Sequence, residues 1–306
     1  MDKVTVCIPT YNRAGTISNS INSVLKQTYK NIEIIVVDNA STDNTKEVVL
    51  GFNDDRIRYI YFSEHLGVNY NFMRAINCSN TEIVCLFHSD DYYLPNIIEN
   101  QIKYIKEYDC GAVFSKMIKK QVSDTRNIET CITEDEVSLS KGDDNAIIYD
   151  YKNFFINSLC NGITISCPTF MTKKSVIRKV GLIDKKNGLI SDLSLWMSIV
   201  REYKIVDIQK PLMIYSISND QLSYKIHNRR DFVSPQFIVL DNELLNSGEI
   251  ISKKVLKKYN KRKSKDYLYI SRNSILKLRL IKGFKYLIKS FILQMNINTR
   301  NLQIRD

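Results

Sequence analysis

Apolar and polar positions in the first 115 residues alternate between short runs of β-branched residues and amphipathic stretches. The continuous apolar runs predict strands at 4–8, 32–37, 57–61 and 83–87, with a further strand at 111–114. The amphipathic stretches between them predict helices at 16–27, 42–52, 70–78 and 95–108. This alternation is typical of a parallel sheet covered by helices. The sequence therefore predicts an α/β fold with a sheet of the nucleotide-binding type.

The pattern weakens between residues 116 and 150, where the chain is polar and acidic, and we predict a long surface loop or an edge excursion near an acceptor site there. Beyond it, the spacing predicts a helix at 151–160, a strand or loop at 163–170, and helices at 174–180 and 192–203. A strand at 212–217 follows, after which the pattern is helical and increasingly basic. The chain thus divides into an α/β part and a basic helical end.

The composition is that of a globular protein, because 44% of the 306 residues are hydrophobic and 25% are charged. A disordered or fibrous chain is excluded. The longest apolar runs stop far short of the ~20 residues that a membrane-spanning helix needs, so no span is predicted. The amino terminus lacks the pattern of a secretory signal, and the seven scattered cysteines include no Cys-x-x-Cys pair. These features predict a cytoplasmic protein with reduced thiols.

The net charge of +11 belongs to the carboxy-terminal end of the chain. Residues 251–306 contain 16 Lys and Arg against 2 Asp and Glu, whereas the preceding 250 residues contain 28 against 31. Within 264–295 the basic residues are interleaved with Ile, Leu, Phe and Tyr at spacings that predict amphipathic helices broken near Gly283. This pattern predicts contact with the anionic surface of a membrane. A helical pair with a solvated lysine face is the alternative, and nucleic acid is not expected as a partner.

Polar residues follow the predicted strands at four places, with the sequences PTYNR (9–13), DNAS (38–41), HLGVNYNFMRA (65–75) and HSDD (88–91). Ligands of open α/β sheets bind at the carboxyl ends of the strands, so these segments are the candidate site. A Gly-x-Gly-x-x-Gly motif and a Walker lysine loop are both absent from the sequence, which argues against NAD enzymes and P-loop phosphotransferases.

The adjacent carboxylates of Asp90 and Asp91 are hard oxygen ligands that suit Mg²⁺ or Mn²⁺ bridging a diphosphate. Adjacent aspartates also commonly cap a helix, here the one predicted to begin at Pro95. Asp38 has two interpretations as well. It is placed to accept a hydrogen bond from a base or a ribose, and it equally suits a turn before a helix.

Three segments resemble the family-2 glycosyltransferases, inverting enzymes of the GT-A fold. They are VTVCIPTYNRAGTISNSINSVLKQTYKNIEIIVVDNASTDNT, GVNYNFMRAINCSNTEIVCLFHSDDYYLP and VGLIDKKNGLISDLSLWMSIV, and with their connections they extend over residues 3 to about 217. The resemblance implies a GT-A domain at 1–220 and a basic helical extension at 221–306. Within the first domain it implies a nucleotide-binding part at 1–115 and an acceptor part at 116–220.

The resemblance implies a nucleotide-sugar donor, usually UDP-linked, and a divalent metal, Mn²⁺ or Mg²⁺, held by Asp90. The loop of Thr10, Tyr11 and Asn12 matches the segment that embraces the nucleoside, and Asp38 matches the aspartate that reads the base. Arg74 is a further candidate for the phosphates, with a solvated helix residue as the equal alternative. The full set of predicted donor-binding residues is Pro9, Thr10, Tyr11, Asn12, Asp38, Asn71, Arg74, His88, Ser89 and Asp91.

The sequence departs from the family pattern at His88, which replaces the first aspartate of Asp-x-Asp. A neutral imidazole could bind a metal or a sugar hydroxyl, and a capping or packing histidine is the alternative. A second departure follows Tyr215, where family members often carry an Arg or His that contacts the diphosphate. Lys225, His227 and Arg229 are the candidates to replace it, and the alternative is that this contact is absent.

Asp192 matches the position of the family's catalytic base. Inversion at the anomeric carbon requires a carboxylate that takes the proton of the acceptor hydroxyl as it attacks. The alternative is that Asp192 only caps its helix, with Ser191 as an equally suitable cap. Asp184 is a second acidic candidate.

The predicted function is an inverting hexosyl- or N-acetylhexosaminyl-transferase of bacterial O-antigen or capsule synthesis. Its acceptor is expected to be a polyprenyl-diphosphate-linked glycan at the inner face of the cell membrane. A sugar-nucleotide nucleotidyltransferase is one alternative, although PTYNRAGT offers no glycine- and lysine-rich phosphate loop. A non-catalytic scaffold that binds nucleotide-sugar or membrane is the other, and His88 keeps it open.

Overall fold

A computed structural model describes residues 2–121, 132–141, 145–181, 192–217 and 230–295. The chain forms two units. The first comprises Met1–Tyr151 with Ile165–Ser218, and the second comprises Lys152–Thr164 with Asn219–Asp306. The predicted domain boundary at residue 220 lies outside the described residues.

Within the described residues, the first unit is built on a nine-stranded sheet with the order β3-β2-β1-β4-β8-β6-β9-β5, and β7 pairs with β9. The strands are β1 (Val4–Thr10), β2 (Ile32–Asn39), β3 (Ile57–Phe62), β4 (Ile83–Leu86), β5 (Tyr92–Tyr93), β6 (Ala112–Gln121), β7 (Ala146–Tyr149), β8 (Phe170–Lys173) and β9 (Ile205–Ile217). The strands β3, β2, β1 and β4 are parallel to one another, as predicted. The other half is mixed, because β8 is antiparallel to both β4 and β6, whereas β6 and β9 are parallel.

Helices cover the sheet and follow its strands in the predicted order. Those of the first unit are α1 (Ile17–Leu25), α2 (Thr45–Leu50), α3 (Val68–Cys78), α4 (Ile97–Tyr108), α5 (Glu134–Leu139), α7 (Lys174–Val180) and α8 (Asp192–Glu202). Every residue of β1 is buried, as expected of a strand with covered faces. In α1, Ile17, Ile21 and Val24 share one face at helical spacing and pack into the core below β1.

Of the two predictions for 116–150, the surface loop is wrong in three places. The strand β6 continues to Gln121 because it pairs with β9 along its whole length. α5 begins at a capping box formed by Thr133 and Glu136, and β7 forms an antiparallel ladder on β9. Residues 122–131 and 142–144 of the predicted loop lie outside the described residues.

The strand predicted at 212–217 begins earlier, at Ile205, and passes through Pro211. Proline cannot donate to a ladder and is tolerated in strands at irregularities. The register between β6 and β9 shifts at Lys116, which is the residue opposite Pro211. The segment predicted at 163–170 as strand or loop contains a 3₁₀ turn at Cys167–Thr169, and β8 begins at Phe170.

The second unit is helical and contains α6 from its second residue onward (Tyr151–Asn161), α9 (Pro235–Asn246), α10 (Lys253–Leu276) and α11 (Leu280–Gln294). α10 and α11 form an antiparallel hairpin, in which the hydroxyl oxygens of Ser264 and Ser290 are 3.0 Å apart. Arg262 of α10 donates 2.8 Å hydrogen bonds to the carbonyls of Ser158 and Leu159, which lie in the last turn of α6. These bonds satisfy acceptors that a helix end leaves unpaired.

The prediction of a helix break near Gly283 is wrong. The break lies at 277–279, where Leu278 has a φ of +58°, and α11 runs through Gly283. A Cβ added at Gly283 would lie 2.5 Å from Cγ1 of Ile275, so this glycine allows the two helices to approach closely. In the described part of the chain, we find no helix with the length and hydropathy that a bilayer crossing requires.

Candidate active site

The candidate site lies where the order of the parallel strands reverses. The chain runs from β1 outward to β2 and β3, and then returns to place β4 on the other side of β1. Crevices at the carboxyl ends of strands form at such switch points. The loop that begins with Tyr11 leaves β1 here, and the turn that begins at His88 follows β4.

The turn from His88 to Asp91 is held by contacts on both of its sides. The His88 N–H donates a 2.5 Å hydrogen bond to the hydroxyl of Tyr93, whose ring stacks on Phe87 at 3.7 Å between centroids. The hydroxyls of Thr16 and Ser20 donate hydrogen bonds of 3.0 and 2.7 Å to the carbonyls of Ser89 and Asp91. The backbone of the turn is thereby fixed to α1 and to β5.

Three side chains of this turn converge on one point. A ligand atom from each of His88, Asp90 and Asp91 lies within 4.8 Å of the other two. Asp91 Oδ2 is buried, has no hydrogen-bond partner among the described residues and lies 3.8 Å from His88 Nδ1. Buried polar atoms of native proteins are nearly always bonded, so this carboxylate oxygen fits a bound cation. The donor set of one imidazole and two carboxylates suits a divalent metal.

Asp91 also anchors the turn to the other half of the sheet. Its Oδ1 accepts a 3.0 Å hydrogen bond from the backbone N–H of Ser216 in β9. The N-cap residue of α4 is Asn96, and its side chain makes no capping hydrogen bond. The alternative in which the aspartate pair caps this helix is therefore wrong.

The protonation states in the cluster follow from burial. Desolvation lowers the pKa of His88, although the carboxylates of Asp90 and Asp192 act in the opposite direction, so the imidazole is neutral at pH 7. Desolvation, and then the charge of Asp90, raise the pKa of Asp91. A divalent cation would reverse this balance for the carboxylates, because a bound cation favours the ionised form.

Asp192 is the first residue of α8, and its carboxylate belongs to the same region as His88. The two groups interact electrostatically, although they are far apart in the sequence. Desolvation raises the pKa of Asp192, while His88 and a hydrogen bond from the thiol of Cys167 act against it. Solvent reaches the residue as a whole, whereas its carboxylate lies among many neighbouring atoms, which is the origin of the desolvation. Its alternative cap, Ser191, lies outside the described residues.

An aromatic cluster fixes α8 on the sheet. The Trp196 ring meets Phe114 of β6 edge-on at 4.7 Å between centroids and lies 4.6 Å from Phe170 of β8. All three side chains are buried. Because Asp192 lies one turn before Trp196, this packing determines where the carboxylate lies.

Asp38 lies in the interior at the end of β2. Its Oδ1 accepts a 2.7 Å hydrogen bond from the Ser41 N–H, and its Oδ2 accepts one of 2.6 Å from the Tyr59 hydroxyl. These bonds are those of a turn before a helix, which is one of the two interpretations that the sequence allowed for Asp38. Each carboxylate oxygen keeps a second lone pair, and contact with a base stays a prediction.

Beside Asp38, two buried polar atoms have no partner among the described residues, namely Thr10 Oγ1 and Asn71 Oδ1. The Asn71 amide donates hydrogen bonds of 2.9 Å to the Val37 carbonyl and 3.3 Å to the Thr10 carbonyl. These bonds connect α3 to the ends of β2 and β1. Tyr11 is exposed, and its ring lies 4.1 Å from the ring of His65. These residues combine free hydrogen-bonding capacity with an aromatic face, as a nucleoside requires.

Two further predicted residues make bonds within the protein. Asn12 connects the first two strand-end loops, because its N–H donates to Ser41 Oγ and its Oδ1 accepts from the Thr42 N–H, both at 2.8 Å. The Arg74 guanidinium donates to Asn39 Oδ1 at 3.2 Å and to the Glu64 carbonyl at 2.9 Å. Pro9 is buried in β1 and Ser89 is buried in the turn. Ligand contacts of these residues stay predictions.

The sequence-based prediction omitted Arg13. Its Nη2 lies 3.7 Å from Asp90 Oδ2, so a cation from the loop after β1 reaches the candidate metal ligand. The position of Arg13 in the sequence could have identified it, because Arg13 is the last residue of the PTYNR segment, which was selected because it follows a strand. Four other predicted candidates, Asp184, Lys225, His227 and Arg229, lie outside the described residues.

Proteins of known sequence support the interpretation of these segments. An uncharacterized glycosyltransferase of Rickettsia prowazekii, RP339, is 31% identical over 202 residues, which are 65% of this chain and 58% of that protein. The Escherichia coli protein WfgD, a UDP-Glc:alpha-D-GlcNAc-diphosphoundecaprenol beta-1,3-glucosyltransferase, is 28% identical over 66% of this chain and 71% of its own length. The chain thus spans less than two thirds of the Rickettsia relative.

Two solved structures share the fold. TarS of S. aureus, in complex with UDP-GlcNAc, has a TM-score of 0.60 and 17% identity, covering 96% of this chain and 91% of that chain. The mannosyltransferase PcManGT from Pyrobaculum calidifontis, in complex with GDP-Man and Mn²⁺, has a TM-score of 0.55 and 16% identity, covering 96% and 87%. At these identities the likeness shows the fold alone, and it confirms the predicted GT-A class.

The model of the family described as glycosyl transferase family 2 matches residues 5–181. This range contains β1 from its second residue onward, β2 to β4, the turn of His88 to Asp91 and the whole of α7. Since the match extends over more than half of the chain, the protein belongs to glycosyl transferase family 2.

Proposed function

We propose that this protein transfers a sugar from a nucleotide-diphosphate donor to a hydroxyl of a glycan acceptor, with inversion at the anomeric carbon. The observation that carries the proposal is the effect of both Asp90 and Asp192 on the pKa of His88, which supports a common location of Asp192 and the turn of His88 to Asp91. The proposed base that deprotonates the acceptor, Asp192, and the proposed cluster that binds the diphosphate can then act in one reaction.

The nucleoside is proposed to lie against Tyr11, with Thr10 Oγ1 and Asn71 Oδ1 as hydrogen-bonding partners. The two unpartnered atoms support this position, because a ligand with donors would satisfy both. A UDP-linked donor is proposed, in agreement with the names of WfgD and of the TarS complex. The sugar itself is not part of the proposal.

His88, Asp90 and Asp91 are proposed to hold a divalent metal, Mn²⁺ or Mg²⁺. When bound, such an ion neutralises the negative charge that develops on the departing diphosphate. Arg13 is placed to share this task, because its guanidinium lies beside Asp90. The neutral state of His88 leaves a nitrogen lone pair free to coordinate.

Asp192 is proposed as the general base. Its carboxylate takes the proton of the acceptor hydroxyl while the oxygen forms a bond to the anomeric carbon. The bond from that carbon to the diphosphate breaks on the opposite face, and its electron pair leaves with the nucleotide. A raised pKa makes Asp192 a stronger base than an ordinary aspartate.

The acceptor is proposed to be a polyprenyl-diphosphate-linked glycan of bacterial surface polysaccharide synthesis, such as O-antigen or capsule. The acceptor in the name of WfgD supports this class. An acceptor of this kind is confined to a membrane, so we place the protein at the inner face of the cell membrane as a peripheral protein. The strong positive charge of residues 251–306 supports that location.

The test is a transfer assay with a panel of UDP-, GDP- and dTDP-sugars, a soluble analogue of the lipid-linked acceptor, and Mn²⁺. We expect one donor to give a product of inverted anomeric configuration, read from NMR coupling constants. Asp192→Asn is expected to reduce kcat about a thousandfold while nucleotide affinity is preserved. Asp55→Asn, at an exposed aspartate of the same unit, is the matched control.

Two results would contradict the proposal. Release of pyrophosphate from a nucleoside triphosphate and a sugar phosphate would identify a nucleotidyltransferase. Binding of nucleotide-sugar without transfer or hydrolysis, with and without metal, would identify a scaffold. Full turnover by Asp192→Asn would remove the assignment of the base alone.

A further inference from the structure

α11 carries an apolar face that points away from its partner helix. It is formed by Leu280, Ile281, Phe284, Leu287, Ile288, Phe291 and Met295, which we call the α11 apolar face. All seven residues are exposed, with 89% of Ile281, 56% of Phe284, and 60% of both Ile288 and Phe291 accessible. Clusters of exposed aromatic and aliphatic side chains mark interaction sites.

Helix geometry makes this face continuous. At 100° per residue, its seven side chains fall within an arc of about 120°. The buried residues of α11, namely Gly283, Tyr286, Ser290 and Leu293, occupy the opposite side and pack on α10. The hairpin is therefore already packed without the α11 apolar face, which stays available for another surface.

Basic residues border the α11 apolar face on one side. Lys282, Lys285 and Lys289 follow each other along the helix, and α11 contains no acidic residue. An open groove of about 520 Å³ on this helix is lined by three apolar residues of the face and by Lys285 and Lys289. Long lysine side chains can keep their charge in water while their stems lie along an apolar surface.

Among the described residues, acidic side chains neutralise only part of the charge of α10 and α11, and Asp241 pairs with Lys263 of α10. Residues 253–294 contain 14 Lys and Arg but one acidic residue, Asp266, and Arg230 is paired with it. Asp231 lies within ion-pair distance of Lys277, Arg279 and Lys282, so one carboxylate is shared by three cations. The segment keeps a large positive excess, and it selects a negatively charged partner.

We infer that the α11 apolar face docks on the surface of an anionic phospholipid bilayer. α11 would lie along the surface, about 22 Å long, with its phenylalanines and isoleucines inserted among the acyl chains. The bordering lysines would reach the phosphate groups. A second copy of the chain fits less well, because it would bring another basic segment against this one.

This inference deepens the proposed function, since a membrane-confined acceptor gives the docking surface its use. The inference rests, however, on the exposed apolar face and on the positive charge around α11. It uses no observation on Asp192 or on the turn of His88 to Asp91. The consequence for the experiment is that membrane binding and sugar transfer can be measured separately.

The test is flotation of the full chain with vesicles of phosphatidylcholine alone or with 30% phosphatidylglycerol. We expect the protein to float with the anionic vesicles and to remain behind with the neutral ones. The triple variant Phe284→Ser, Ile288→Ser, Phe291→Ser should reduce the partition coefficient on the order of tenfold or more, because it removes inserted apolar area at constant charge. Lys285→Glu should weaken binding to the anionic vesicles.

The matched control is Leu245→Ser with Ile250→Ser, at residues of the same unit that are 79% and 92% exposed outside α11. It should float like the unchanged chain, and circular dichroism should show that all variants are folded. Flotation of the triple variant equal to that of the unchanged chain would overturn the inference. Failure of the unchanged chain to bind anionic vesicles would also overturn the inference. In that case, a dimer of the unchanged chain that sedimentation no longer detects in the triple variant would identify the face as an interface between two copies.

Transfer to a soluble acceptor analogue separates this inference from the proposed function. The triple variant should retain that activity, because its changes lie outside the candidate active site. Flotation with anionic vesicles by a chain that transfers no sugar would contradict the proposed function and leave the docking surface standing.

Discussion

Nη2 of Arg13 lies 3.7 Å from Oδ2 of Asp90, so the loop after β1 and the turn after β4 share an ion pair. Both side chains are partly accessible, and the distance is too long for a close hydrogen bond. A cation in this position attracts the diphosphate of a donor. It also opposes a metal ion at Asp90, so the arrangement favours binding of metal and diphosphate together.

Arg13→Ala is expected to raise KM for the donor about tenfold, which is the cost of one lost charge-assisted hydrogen bond. The same change should strengthen binding of Mn²⁺ in the absence of donor, because a repelling charge is removed. Titration of the melting temperature with Mn²⁺ measures this second effect. Arg178→Ala, at an exposed arginine of α7, is the control. Weaker binding of both ligands would show that Arg13 only stabilises the loop.

The pH dependence of turnover should report the ionisation of Asp192. Its pKa is raised by desolvation, and the base acts in its ionised form, so kcat should fall as pH falls through that raised pKa. The thiol of Cys167 lowers this pKa by its hydrogen bond. Cys167→Ala should therefore move the acidic limb of the kcat profile to higher pH, whereas Cys167→Ser should leave it nearly in place. An unmoved limb in Cys167→Ala would contradict the role of the thiol.

The same shift has a consequence for stability. A carboxyl whose pKa is higher in the folded protein binds its proton more tightly there, so its contribution favours folding at low pH and is lost as pH rises through the folded pKa. Asp192→Asn removes this unfavourable ionisation. We expect the variant to melt at a higher temperature than the unchanged chain at pH 7, and at a similar temperature near pH 3.

The presence of His88 in the metal cluster predicts a preference among cations. An imidazole ligand suits Mn²⁺ better than Mg²⁺, which prefers a shell of oxygens. EDTA should abolish transfer, and Mn²⁺ should restore it more than Mg²⁺. His88→Asp should reduce the difference between the transfer activities that Mn²⁺ and Mg²⁺ restore. His88→Phe should weaken Mn²⁺ binding, measured as a smaller Mn²⁺-dependent rise in melting temperature with UDP present. An unchanged rise in His88→Phe would exclude His88 as a ligand.

Gly283→Ala should destabilise the α10–α11 hairpin by about 1–3 kcal/mol, because the added methyl group meets the side chain of Ile275. Gly15→Ala is the matched control. A Cβ there has no heavy atom within 4 Å, so the change should stay within about 0.5 kcal/mol. Urea unfolding followed by circular dichroism compares the two, and equal midpoints would contradict close packing at Gly283.

The parallel half of the sheet could be predicted because its strands are buried on both faces. The apolar runs of β1 and β2 mark such strands without reference to any other part of the chain. The second half could not be predicted in the same way. β6 is polar in its later residues, and it is a strand only because β9 lies beside it. Pairing partners far apart in the sequence leave no local pattern.

The candidate site shows the same division. Position after a strand identified Asp90 and the PTYNR segment, since the carboxyl ends of parallel strands meet at one edge. The hydrogen bonds of Asp38 with Tyr59 and Ser41, and the ion pair of Arg13, depend on how neighbouring loops fold against each other. Such contacts have no periodic signature.

The sequence by itself determined the family, the positions of the first four strands along the chain and the charge of the carboxy-terminal end, because motifs, periodicity and composition are local or additive properties. Only the tertiary structure decided that Asp192 approaches His88, that Cys167 bonds to this carboxylate, and that α11 leaves one face uncovered by the rest of the described chain. These relationships come from the packing of α8 on the sheet and of α11 on α10. Packing of distant segments depends on the shape of the whole core, which no short stretch of sequence encodes.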